Sequence, residues 1–372
     1  MNLIAHLSHT DLDGYAAQYI TRKVSELCGI PALFENTNYG DEILTQFDSL
    51  VGRVIDSAPQ GPVMFLVTDV NLTVEQCEYF DRQARYLSDA VGHEVRLMLL
   101  DHHITGEEAA ARFTWYRLDV DACATLLTYR SWEPAIEDNT AACQYLGYVA
   151  DVVNAVDLWR EDDELFEAGN LLSELFSGID GYVPEVMSEL RRDYRHFLIG
   201  EVTQLLFSGA SLDDVEDMLP VIRRQFIKQY PGLNEESREI MESPDMTTSK
   251  KYYWLVYQNL AADLEKGRYQ VVEVDGLKGL VLHQLPYGAF QCASHWLLRN
   301  DHGLDFVLQS TVRGNLSLRS IGDTDVSALS KRYFNGGGHK NAAGGRLPTR
   351  EQIRNPEHAH RLVLKALGLK AA

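Results

Sequence analysis

The chain has 372 residues, 45% of them hydrophobic and 24% charged, with a formal net charge of −20. That is the composition of a globular protein with room for one to three domains and a large core. The acidic balance argues against a protein that grips long duplex DNA by its phosphates and favours a small or short phosphorylated substrate, and no apolar run approaches the length of a membrane span.

The first 160 residues alternate apolar strands with helical stretches. Strands are predicted at residues 2–8, 32–36, 63–67 and 95–100, and helices at 14–27, 40–50, 74–91, 123–129 and 138–156. Near-continuous apolar strands separated by helices predict a parallel sheet with helices on both faces, an α/β fold. Residues 160–262 read as mainly helical and charged, broken at Pro231-Gly232 and Ser243-Pro244. From Tyr269 short strands are predicted at 269–274, 279–283, 306–311 and 315–319, with a helix at 290–299, which describes a smaller α+β domain. The expected division is a catalytic domain at 1–200, a helical connector at 201–262 and a substrate-binding domain at 263–372. The acidic connector admits two readings, a homodimer surface or a solvated spacer. Cys28, Cys77, Cys123, Cys143 and Cys292 are dispersed and form no C-x-x-C, which reads as reduced thiols in a cytoplasm, and the chain starts almost directly into a strand with no export signal.

Five clusters of carboxylates, imidazoles and glycines fall where these elements end. His9-Thr10-Asp11-Leu12-Asp13-Gly14 follows the first strand, and Gly14 permits a tight turn into the next helix. In extended chain Asp11 and Asp13 point the same way, so each can hold a different metal of a pair, although an N-cap role fits the same residues. Asp69 follows the third strand, where a single carboxylate can bridge two cations ~3.5–4 Å apart. Asp101-His102-His103 follows the fourth, and its adjacent histidines face opposite ways in extended chain, one toward metal and one toward substrate, with Asp101 able to fix an imidazole tautomer. Asp151 and Asp157 lie six apart on a predicted helix, about 120° from each other, so they do not share a face and one of them is the candidate ligand. Gly336, Gly337, Gly338, His339 and Lys340 form a glycine loop expected to open a helix and to approach an anion, and Arg319 in Leu316-Ser317-Leu318-Arg319-Ser320 can clamp a phosphate. Carboxylates and imidazoles gathered at the C-terminal ends of strands describe a metal site in an open α/β sheet.

Together these motifs resemble the DHH phosphoesterase superfamily, named for the triplet seen here at Asp101-His102-His103. Residues 336–345, Gly-Gly-Gly-His-Lys-Asn-Ala-Ala-Gly-Gly, resemble the signature of the DHH-associated C-terminal domain. The resemblance implies a hydrolase of phosphate esters that uses two Mn2+ ions, with Mg2+ or Co2+ as substitutes. It implies His9, Asp11 and Asp69 on one metal, and Asp13, Asp69, His102 and either Asp151 or Asp157 on the other. His103, supported by Asp101, would face the scissile phosphate, and Arg319, Ser320, the glycine loop, His339 and Lys340 would hold the substrate. Many members carry the first histidine four residues before the first aspartate, where this chain has Leu7. Its compact His9-containing form and the ending Asp157-Leu158-Trp159 resemble the nano-RNase B-like branch, with His6 a spare candidate, whereas Val149-Ala150-Asp151-Val152-Val153 resembles RecJ-type exonucleases. The expected activity is therefore metal-assisted hydrolysis of short oligoribonucleotides to mononucleotides, and of adenosine 3′,5′-bisphosphate. The competing readings are a RecJ-type single-strand exonuclease, a cyclic-dinucleotide phosphodiesterase and an inactive DHH-fold scaffold.

Overall fold

The protein is described from a computed structural model, which covers all residues except 41, 178–187, 230–238, 240–242, 244, 245, 266–268, 270, 301, 350, 351, 354 and 370–372. The predicted breaks at Pro231-Gly232 and Pro244 lie outside the described residues. The chain divides into two compact units, Met1–Gly178 with Arg192–Leu219, and Ile179–Arg191 with Pro220–Ala372. Among the described residues no helix is long and apolar enough to cross a membrane.

The first unit begins with β1 (Leu3–Ser8), α1 (Leu12–Cys28), β2 (Ala32–Asn36), α2 (Glu42–Asp56), β3 (Val63–Thr68), α3 (Val74–Val91) and β4 (Val95–Asp101). It continues through the one-turn α4 (Glu107–Ala110), β5 (Tyr116–Leu118), α5 (Ala124–Ile136), α6 (Thr140–Asp157) and α7 (Phe166–Ser177). Two further helices, α8 (Ser188–Phe207) and α9 (Leu212–Gln229), follow. The five strands pair in parallel in the order β2-β1-β3-β4-β5. All six residues of β1 are buried, as a strand covered on both faces requires. Packing on one face is anchored by Phe47, whose ring lies 4.5 Å from that of Phe65 and 3.7 Å from that of Phe80. β5 escapes the sequence reading because it is a three-residue edge strand with one fully buried side chain, Tyr116.

Register decides where the chemistry sits. Ser8 pairs with Thr68 and Thr68 with Leu100, so β1, β3 and β4 end at one level. His9, Asp69 and Asp101 therefore emerge together at the C-terminal edge of the sheet, where the chain reverses its winding direction between β2 and β3. That crevice is where open α/β sheets place ligands. α1 starts sharply: Asp11 is its N-cap and accepts the Gly14 amide at 3.0 Å. A Cβ on Gly14 would come within 2.5–2.9 Å of the His9 backbone. Gly14→Ala is therefore expected to cost about 2 kcal/mol of stability and to displace His9, measured as a lower urea midpoint together with weaker cation binding.

The second unit contains α10 (Thr248–Glu265), β6 (Val271–Val274), β7 (Leu277–His283), α11 (Tyr287–Arg299), β8 (Phe306–Ser310) and β9 (Asn315–Ser320). α12 (Val326–Tyr333), β10 (Gly337–His339), β11 (Ala342–Arg346) and α13 (Pro356–Ala366) complete it. Its sheet runs β10-β11-β9-β8-β7-β6 and is parallel only between β7 and β8. The glycine motif does not open a helix, as the sequence suggested. Gly337 and Gly338 lie in β10, which pairs antiparallel with β11 in a hairpin that follows α12. Its glycines have a packing reason: a Cβ on Gly336 would meet the Gly344 carbonyl and the Ser330 hydroxyl, and one on Gly345 would lie 2.7 Å from Phe334.

Candidate metal centre

Four loops and helix ends of the first unit bring seven acidic and imidazole side chains together. Three groups have ligand atoms mutually within 4.8 Å: His9 with Asp11 and Asp69, Asp13 with His102 and Asp157, and Asp69 with His102 and His103. Asp69 links the first group to the third, and His102 links the third to the second.

Each carboxylate is placed by local structure. Asp11 caps α1 through Oδ1 and turns Oδ2 to His9 Nδ1 at 2.8 Å. Asp13, in the first turn of α1, is buried, and its two oxygens accept the amides of Ala124 and Thr125 at 2.7 and 2.8 Å. Those amides open α5, so a helix N-terminus fixes this carboxylate. The extended chain assumed for Asp11 and Asp13 is corrected here, because helix α1 begins between them, while the two enter different groups as the two-metal expectation has it. Asp69 adopts a left-handed conformation, φ 58°, at the end of β3 and is fully buried. Asp157 is the last residue of α6.

The electrostatics are those of an acidic cluster with too few cations. His102 Nε2 lies 3.3 Å from Asp69, 3.6 Å from Asp157 and 3.7 Å from Asp13, one imidazole facing three carboxylates. Burial, then the charges of Asp11 and Asp13, push the Asp69 carboxyl well above the usual range. Burial and the charge of Asp13 push Asp157 up to about 8, against the pull of His102. Burial alone would lower the His9 imidazole, but its hydrogen bonds and charge interactions with Asp11 and Asp69 raise it to about 9. Asp69 Oδ2 is buried with no hydrogen-bond partner. Its nearest donor is His9 Nδ1, 3.6 Å away, and a buried carboxylate oxygen without a hydrogen bond inside a ring of carboxylates and imidazoles is costly unless a cation binds it, so the donor set fits hard or borderline divalent ions.

The structure separates the alternatives left open by sequence. Asp151 joins none of the three groups and is influenced by Asp163 and Arg130, whereas Asp157 Oδ2 lies 3.6 Å from His102 Nε2. His6 is buried in β1, pairs with Thr68 Oγ1 at 2.9 Å and is held neutral, its imidazole lowered to about 3 by burial and by Arg192.

His103 shares the third group with Asp69 and His102 but is held by a further carboxylate, Asp101. Its Nδ1 lies 2.7 Å from Asp101 Oδ1, which also accepts the amides of His102 and His103, while Asp101 Oδ2 accepts the Tyr116 hydroxyl at 2.5 Å. With Nδ1–H committed to Asp101, Nε2 is the acceptor, and it faces the Tyr39 hydroxyl at 3.2 Å. The Tyr39 ring also covers His9, centroid to centroid at 4.5 Å. Tyr39 carried no sequence signal, lying in the polar stretch after β2. A second missed layer comes from α8. Arg195 Nη1 donates to the Thr10 carbonyl at 3.1 Å. Arg192 Nε donates to Asn36 Oδ1, and Asn36 Nδ2 to the His9 carbonyl, both at 2.9 Å. Both arginines are buried, and their i, i+3 spacing in a charged helix was the available clue.

The remaining candidates belong to the second unit. Arg319 on β9 stands opposite Ala342 of the hairpin, with its guanidinium 5.6 Å from the Phe290 ring centroid. Ser320 is buried and donates to the Thr324 carbonyl at 2.8 Å. Gly337, Gly338 and His339 are exposed, and Lys340 is paired with Asp323 at 2.9 Å.

No protein-family model matches the chain. A 3′,5′-cyclic-nucleotide phosphodiesterase of Helicobacter pylori (strain ATCC 700392 / 26695) is 28% identical over 350 residues, covering 93% of each protein. A crystal structure of an uncharacterized protein from Helicobacter pylori G27 matches 99% of this chain and 100% of its own, at 25% identity and a TM-score of 0.79. RecJ from Thermus thermophilus in complex with Mn2+ aligns with 99% of this chain and 52% of its own at 14% identity, with a TM-score of 0.30, a likeness too slight to bear on chemistry.

Proposed function

We propose that this protein is a metal-dependent phosphodiesterase acting on small nucleotides, with Mn2+ as the metal and short oligoribonucleotides as substrates. The observation that carries the reading is the buried Asp69 carboxylate, its Oδ2 without a hydrogen bond, between His9–Asp11 and Asp13–His102–Asp157. His9, Asp11 and Asp69 would hold one cation, and Asp13, Asp69, His102 and Asp157 a second. When bound, the two cations supply activated water near neutral pH and screen the phosphoryl charge. His103 presents Nε2 to the substrate, where in the tautomer held by Asp101 it accepts a proton or a hydrogen bond. Tyr39 donates to the same Nε2 and lies over His9, so its hydroxyl reaches the phosphate that enters there. Tyr39→Phe is expected to lower kcat about tenfold, one hydrogen bond to a charged group, with cation affinity unchanged by calorimetry. In the second unit, Arg319, Ser320, Gly336, Gly337, Gly338, His339 and Lys340 are the proposed substrate-binding residues. The net charge of −20 suits a short substrate in a cytoplasm.

A second reading, a 3′,5′-cyclic-nucleotide phosphodiesterase, is favoured by the relative of that name, which spans 93% of both chains. The two readings share the cations and His103 and differ only in the ester cleaved. The test is purified protein with Mn2+ and a panel of two- to five-residue RNA, 3′,5′-cyclic AMP, adenosine 3′,5′-bisphosphate, a cyclic dinucleotide and long single-stranded DNA, with His102→Ala as the blank. Fastest turnover of the short RNA supports the first reading and of cyclic AMP the second. Preference for long DNA, or no Mn2+-dependent turnover at all, contradicts both.

A further inference from the structure

Helix α6 ends in an unusual way. After Asp157 the chain closes through two backbone hydrogen bonds, Trp159 N–H to the Val156 carbonyl at 3.1 Å and Arg160 N–H to the Ala155 carbonyl at 2.8 Å. That is the Schellman arrangement, which puts the residue at Trp159 in the left-handed region and favours glycine there. Trp159 has φ 52°, a conformation bulky residues rarely adopt.

What the indole gains from this position is not burial. At 65% exposure Trp159 is the most exposed large apolar side chain among the described residues. It is nonetheless held: the indole N–H donates to Glu161 Oε1 at 2.7 Å, and the ring meets Phe166 edge-to-face at 5.3 Å and 81°. The strained residue lies two positions beyond Asp157, whose carboxylate faces His102. Strained backbone concentrates at functional sites, where the side chain's role outweighs its conformational cost. Two other large apolar side chains stand exposed beside the same cluster, Ile104 directly after His103 and Tyr39 over His9. An acidic, cation-binding cluster suits a phosphate, and a fixed, solvent-facing indole beside it suits a flat aromatic group joined to that phosphate.

We infer that Trp159 is a nucleobase platform, a specificity-determining residue on which the base of the nucleotide stacks while its phosphate occupies the metal centre. This rests on the phosphodiesterase reading above and names what that site requires beyond phosphate. It makes the protein selective for nucleotides over base-free phosphates, by roughly tenfold to a hundredfold for one base on one aromatic ring.

The test is titration of the full chain in Mn2+ with adenosine 5′-monophosphate and with ribose 5-phosphate, followed by calorimetry and tryptophan fluorescence, together with thermal melts. Wild type is expected to bind the nucleotide at least tenfold tighter than the sugar phosphate, with quenched indole emission. Trp159→Gly is expected to lose both the preference and the quenching, to keep its affinity for ribose 5-phosphate, and to melt at or above the wild type, because glycine relieves the left-handed strain. Trp159→Phe should retain much of the preference. Equal affinity for the two ligands in the wild type overturns the platform, as does a Trp159→Gly protein that melts well below wild type and loses ribose 5-phosphate as well. Binding of neither ligand overturns the platform and the phosphodiesterase reading together, whereas base preference without turnover of any ester counts against the phosphodiesterase reading alone.

Discussion

Replacing Asp69 with asparagine is expected to reduce kcat by about 10³-fold or more and to weaken cation binding, while the metal-free protein becomes more stable. The loss follows from removing the carboxylate shared by two of the three groups, since cation stabilisation of a phosphoryl transition state amounts to several kcal/mol. The gain follows from the same burial. Asp69 is enclosed with Asp11 and Asp13, its Oδ2 makes no hydrogen bond and lies 3.6 Å from His9, and burial with the two neighbouring charges outweighs that pairing, so in the metal-free protein the charge is a liability. Asparagine is nearly isosteric and tolerates the left-handed φ of 58° at this position, so the backbone is not the variable. Steady-state kinetics, calorimetric titration with Mn2+ and thermal melts in chelator measure the three effects. A variant that is inactive and also less stable without metal would mark Asp69 as a structural residue instead.

Stripping the cations is expected to abolish activity and to leave a protein whose stability falls as pH rises. Asp157 is raised from its ordinary value of 3.8 to about 8, so its contribution is full below about pH 4 and lost as pH rises through 8. His9 is raised from 6.5 to about 9, so its pairing with Asp11 and Asp69 is full below pH 6.5 and lost as pH rises through 9. Both act in the same direction, and their windows overlap between about pH 6.5 and 8. Cations bind the deprotonated forms, so Mn2+ should raise the melting temperature more at pH 8.5 than at pH 5.5. At a hundredfold excess over Kd that stabilisation is about 2.7 kcal/mol. A Mn2+-induced shift that is equal at both values, or larger at pH 5.5, would contradict this assignment of the ligands.

Much of the first unit was legible because one physical signal, unbroken apolar strands, marks both the sheet and the ends of its strands. Four strands and their helices follow from it, and with them the positions of His9, Asp69 and Asp101 at one edge. What the pattern could not supply was direction in three dimensions. The alternation of extended chain assigns Asp11 and Asp13 to different cations, but it is the helix cap between them that separates them. Between Asp157 and Asp151 the ending Asp157-Leu158-Trp159 leans toward Asp157, while helical spacing shows only that the two do not share a face. Tyr39 acts across 64 residues of sequence, Arg192 across 156 and Arg195 across 185, and periodicity carries no record of such pairings. The glycine run misled for a different reason. Glycines that allow a backbone to meet an anion look identical in sequence to glycines that allow a hairpin to meet Ser330 and Phe334.

The account stands on cations at the end of β1, β3 and β4, and anomalous diffraction locates them without reference to any substrate. Crystals grown with MnCl2 and measured at the manganese edge are expected to show two peaks in the first unit, one among His9, Asp11 and Asp69 and the other among Asp13, Asp69, His102 and Asp157. A map with no peak at these side chains, or with its peaks at other residues, would contradict the metal centre and the phosphodiesterase reading with it.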